Sequence, residues 1–69
     1  MSVGRIIEIS AMSEKSFDDA VREGIARAEK TLRHIKGAWI KDMRVDVQDG
    51  NVIGYQVNMQ ITFLMDDSL

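Results

Sequence analysis

A chain of 69 residues holds one domain at most and leaves too much surface exposed for a self-sufficient core. Cysteine is absent and histidine occurs once, which excludes disulfide staples and zinc-finger clusters and leaves partner subunits as the source of added stability. A formal net charge of -2 argues against a general nucleic-acid binder, no apolar run is long enough to cross a bilayer, and Met1-Ser2-Val3-Gly4-Arg5 lacks the apolar core of a secretory signal, so a cytoplasmic location is expected.

The first predicted element is a strand over residues 3–10, Val-Gly-Arg-Ile-Ile-Glu-Ile-Ser, short and rich in β-branched side chains. Ile7 and Ile9 share one face; Ile6 and Glu8 share the other, as an edge or interface strand would have it. Residues 11–16 read as a loop leading to a helix that either Ser13 or Ser16 can cap. Asp18 and Asp19 follow in the first turn, where the helix end favours negative charge; adjacent helical residues diverge, so they make no paired-carboxylate site. Phe17, Val21, Ile25, Ala28, Leu32 and Ile35 recur at helical spacing as one apolar stripe, with Ala20 and Gly24 as small neighbours. Gly24 weakens the helix by about 1 kcal/mol relative to alanine, which either close approach to a sheet or simple tolerance explains. Gly37 is the predicted helix terminator.

A second strand is predicted from Ala38 to Val47. Its apolar parity changes, with Ala38 and Ile40 on one phase and Met43, Val45 and Val47 on the other. A period of two cannot skip a residue without exposing one set, so a β-bulge is expected at Lys41–Asp42. Gln48-Asp49-Gly50-Asn51 is a tight turn, followed by a long strand from Val52 to Met65. There Tyr55, Val57, Met59, Ile61, Phe63 and Met65 alternate with Gln56, Asn58, Gln60 and Thr62. Asp66-Asp67-Ser68-Leu69 reads as a polar tail. These elements make a single α+β domain over residues 1–69: β-α-β-β, with a three-stranded antiparallel sheet packed on one helix.

Catalytic signatures are missing: no cysteine nucleophile, no glycine-rich phosphate loop and no His–Glu metal motif. His34 reads as a surface or helix-end residue. Asp42, Asp46 and Asp49 offer oxygens to a hard cation, but not at EF-hand spacing. Trp39 lies opposite in parity to Ala38 and Ile40, so the single indole faces away from the core, with Gly37 on the same face. An outward-facing tryptophan serves either subunit packing or the stacking of a flat ligand, for which the amide-rich face of the last strand would supply ring-edge hydrogen bonds.

The order of elements resembles the dodecin family, as do Ser13-Glu14-Lys15-Ser16-Phe17, Arg27-Ala28-Glu29-Lys30-Thr31-Leu32 and Tyr55-Gln56-Val57 with the alternating strand after it. The resemblance implies a strongly bent antiparallel sheet that partly wraps the helix, and a homododecameric hollow shell. It also implies non-enzymatic storage of flavin, riboflavin or FMN, stacked in pairs between subunits; some members bind coenzyme A, and some flavin-free relatives bind calcium. Gln56 matches the family glutamine that contacts the flavin ring, whereas Gly37 occupies the place of the stacking tryptophan. Trp39 stands two residues beyond, on the same strand face and about 7 Å along it. The site implied is therefore Gln56, Trp39 and Gly37, with the indole either replacing the missing platform or filling its pocket. A flavin-free dodecameric shell with a structural or cation-binding role is the alternative.

Overall fold

The computed structural model describes residues 3–65, which include strand β1 (Gly4–Ser13), helix α1 (Phe17–Leu32), strand β2 (Ile35–Gln48) and strand β3 (Asn51–Leu64). The expected β-α-β-β order holds, and the sheet runs β1-β3-β2 with both pairings antiparallel. The Asp66–Leu69 tail lies outside the described residues.

β3 is central because it alone carries a complete apolar alternation. Val57, Met59 and Ile61 are fully buried beneath the helix, together with Ala20, and Ala11 joins them from β1. Ile7, Ile9, Phe17, Val21, Ile25 and Leu32 pack around this small core. The Phe17 and Tyr55 rings meet edge to face, centroids 5.1 Å apart, and pin the start of the helix to β3.

Both candidate serines act at the helix start. Ser16 is the N-cap, its hydroxyl accepting from the Asp19 N–H at 2.9 Å. Ser13 Oγ accepts from the Lys15 N–H and donates to Asp19 Oδ2 at 2.7 Å, so the incoming loop is tied to the first turn. Residues 11–13, expected in a loop, instead continue β1, because Ala11, Met12 and Ser13 pair with Val57, Gln56 and Tyr55.

The helix end differs from expectation. α1 stops at Leu32, and the chain reverses through Arg33 and His34, which have φ of 59° and 55°. Ile35 is therefore the first residue of β2 rather than the end of the helical stripe, and Gly37 lies within that strand. Sheet pairing outweighs helix continuation: the Leu64 N–H donates to His34 O, and the Ile35 N–H donates to Glu29 Oε1. The exposed His34 sits in this reversal, as a helix-end residue.

The bulge lies where the parity change placed it. The register steps from Ile40↔Met59 to Asp42↔Asn58, two residues of β2 against one of β3. Ala38, Ile40, Met43 and Val45 consequently all stand opposite core-side residues of β3: Ile61, Met59, Val57 and Tyr55. Two further irregularities were not anticipated, at Ile35/Gly37 and Asp46/Val47. The hairpin turns through Asp49 and Gly50, with φ of 54° and 79°, as the Asp-Gly pair predicts.

The helix lies over β1 and β3 and leaves most of β2 uncovered. Ile40, Met43, Val45 and Val47 are exposed on β2, as are Val52 and Ile53 beyond the turn. The molecule is accordingly long and thin, 56 × 19 × 13 Å.

Gly24 marks the closest approach of helix to sheet. A Cβ there would lie 2.8 Å from Ala11 Cβ and 2.9 Å from Met59 Cε. Met59 can swing aside, but Ala11 moves only with the β1 backbone. Gly24→Ala should therefore lower stability by about 1 kcal/mol, overpacking outweighing alanine's helix preference. Urea unfolding checks this; a raised midpoint would contradict the close-approach account.

Candidate functional site

The sheet face turned away from the helix is polar. Along β3 it carries Gln56, Asn58, Gln60 and Thr62, all part-buried. Their partners are Met12, Ser10, Glu8 and Ile6 on β1, and Arg44, Asp42, Trp39 and Gly37 on β2.

Trp39 and Gly37 share one end of this face. Trp39 stands opposite Gln60, on the face away from the helix as its parity predicts, and its indole is 60 % exposed. A Cβ built on Gly37 meets nothing within 4 Å. Gly37 and Trp39 line a shallow hollow of about 380 Å³ with Lys36, Ala38 and Thr62.

Gln56 belongs to the other end. Trp39 pairs with Gln60, four residues further along β3, which separates the two side chains by about 13 Å within one chain. Lys41 reaches across β3 to Glu8, Nζ to Oε2 3.2 Å, between the two ends. One chain therefore brings Gly37 to Trp39 but does not bring either to Gln56.

A side-chain network surrounds Gln56. Its Nε2 donates to Asn58 Oδ1 at 3.3 Å, and Ser10 Oγ donates to the same oxygen at 2.6 Å. Asn58 Nδ2 donates to Asp42 Oδ1. Arg44, opposite Gln56, is turned aside to Asp46, Nη2 to Oδ1 3.0 Å. Ser10 was not singled out in the sequence, and Asn58 only as part of the amide-rich face. The signal lies in the bulge: one extra residue in β2 is what brings Asp42 level with Asn58. The carboxylates of Asp42, Asp46 and Asp49 do not converge, and among the described residues no three His, Cys, Asp or Glu side chains are disposed to hold one metal ion.

The family model for dodecin matches residues 3–66. The chain belongs to the dodecin family. It is 31% identical over 62 residues to the dodecin of Thermus thermophilus, an overlap covering 90% of each chain. The structure of dodecin from Streptomyces davaonensis superposes with a TM-score of 0.91 at 30% identity, over 96% of this chain and 97% of that one. The calcium dodecin of Mycobacterium tuberculosis, described as calcium chelating, superposes with a TM-score of 0.80 at 26% identity, over 99% and 97% of the two chains.

The space at Gly37 gives a direct check on whether anything covers it in solution. If the hollow is open, Gly37→Ala leaves thermal stability unchanged or raises it by about 0.5 kcal/mol, since alanine loses less backbone freedom on folding. A fall in melting temperature would show that a neighbouring molecule fills the hollow.

Proposed function

We propose that this dodecin is a non-enzymatic homododecameric binding protein that takes up flavin, riboflavin or FMN, at subunit interfaces and acts in the cytoplasm, without nucleic-acid or membrane partners. The observation that carries the ligand reading is the exposed Trp39 indole beside open space at Gly37, on a face otherwise lined with amides. A flat ring laid on that indole gains stacking worth about 0.5–1.5 kcal/mol beyond area burial, and a glutamine supplies a ring-edge hydrogen bond. The residues fit the flavin ring as two half-sites. With Trp39 and Gln56 about 13 Å apart along one chain, the indole comes from one subunit and the amide from another.

Assembly is supported by the uncovered underside of β2 and by the size of the core, which comprises five buried side chains among the described residues. A core of that size leaves a domain marginal on its own. Among the described residues no helix is long and apolar enough to cross a membrane.

A second reading, a flavin-free shell that binds cations, is favoured by the likeness to the calcium dodecin. In that reading carboxylates from different subunits would have to meet, because those of one chain do not converge.

Native mass spectrometry should show a closed particle of about twelve chains, as the family resemblance implies; a stable dilute monomer would defeat the assembly reading. Titration of that particle with riboflavin and FMN should quench both flavin and Trp39 emission, and Trp39→Ala and Gln56→Ala should each weaken binding about tenfold, the loss of roughly 1.4 kcal/mol per contact. Absence of quenching at tens of micromolar flavin, together with calcium uptake by calorimetry, would favour the second reading.

A further inference from the structure

Two of the four side chains in the outer-face network are amides, and an amide can be turned over. Asparagine and glutamine each present a carbonyl oxygen and an amino group of almost equal size, so the partners decide which end points where. In this network only one partner is unambiguous. The Ser10 hydroxyl can donate or accept and imposes nothing. The Asp42 carboxylate has only lone pairs to offer, so Asn58 must turn its Nδ2 toward it. Asn58 Oδ1 is thereby directed at Gln56, which must answer with its own Nε2. The Gln56 Oε1 is what remains. No hydrogen bond to it is made among the described residues, and Arg44, its partner across the strand pair, is turned to Asp46 instead.

We infer that Asp42 is a positioning residue that acts through Asn58 to hold Gln56 with its carbonyl oxygen outward, so that the site selects flat ligands carrying an N–H donor on the ring edge. This inference rests on the flavin-site reading and adds the polarity of its hydrogen bond. The isoalloxazine ring meets the requirement through its N3–H, which lies between two carbonyls. A ring offering only acceptors along that edge leaves the glutamine oxygen unpaired on burial, a penalty larger than the mere loss of a favourable contact. The β2 bulge is part of the device, because Asp42 stands level with Asn58 only through the extra residue beside it.

The test compares riboflavin with 3-methylriboflavin, which lacks the edge N–H, by fluorescence titration of the assembled wild type, Asp42→Asn and Asp42→Glu. Wild type should prefer riboflavin by about tenfold or more, the factor that one hydrogen bond of roughly 1.4 kcal/mol represents. Asp42→Asn is nearly isosteric but can donate or accept, so both network polarities become available. It should weaken riboflavin several-fold, leave 3-methylriboflavin unchanged and so collapse the preference, whereas Asp42→Glu, which keeps a carboxylate, should retain it. The methyl group's own bulk is the same for wild type and Asp42→Asn and cancels in the comparison. Equal weakening of both ligands in Asp42→Asn would show a merely structural role and overturn the relay while the flavin reading stands. An unchanged preference would overturn it in the same way. Failure of wild type to bind either ligand would overturn the flavin reading and the relay with it.

Discussion

The structure hangs on β3 being shared by both other strands. Its alternation places Val57, Met59 and Ile61 under the helix and Gln56, Asn58, Gln60 and Thr62 on the opposite face, so one strand supplies both the core and the polar outer face. The helix contributes a fully buried Ala20 and the close contact at Gly24, which lets backbone approach backbone where a larger side chain would hold them apart. Any change that shifts the register of β3 by one residue would exchange these faces. The bulge in β2 is the complementary constraint, since without it Met43 would stand opposite Gln56, Val45 opposite Gly54, and Asp42 would lose Asn58.

That dependence explains what was legible from residues alone. The alternation of β3, the helical stripe from Phe17 to Leu32, the Asp-Gly turn and the bulge are all periodic or steric signals written locally, and each is found in place. The helix end was not legible, because Gly37 carries the usual stop signal, whereas Arg33 and His34, residues with ordinary helix preferences, take positive φ. Hydrogen bonds to Leu64 and Glu29 hold that reversal, and they are distant in sequence or made by a side chain. The β1 extension was hidden for the same reason, since Ala-Met-Ser has little strand preference of its own and pairs because Tyr55, Gln56 and Val57 are there to pair with. The irregularity at Asp46/Val47 did leave a trace: Val52 and Ile53 are adjacent apolar residues that a strict period of two cannot both bury.

The site was legible in its parts and not in its spacing. The outward direction of Trp39 followed from parity, as did the placing of Gly37 and Gln56 on the same sheet face. What parity cannot give is distance along the strand. The register sets Trp39 beside Gln60, and the Lys41–Glu8 pair crosses between it and Gln56. The amide orientations around Asn58 were beyond reach too, because they depend on which side chains the bulge brings level.

Both outer strands, β1 and β2, have one unpaired rim. Such rims invite strand addition by stray chains, the route into amyloid-like ladders, and β2 is long enough at 14 residues to be a template. Its sequence is studded with Lys36, Lys41, Asp42, Arg44 and Asp46, all but Asp46 well exposed. An added strand would have to lie beside charges of both signs and follow a bulged, bent backbone. The irregularity that sets the face of each side chain therefore also acts as a gatekeeper, protecting a newly made chain from indiscriminate pairing before its apolar underside finds cover.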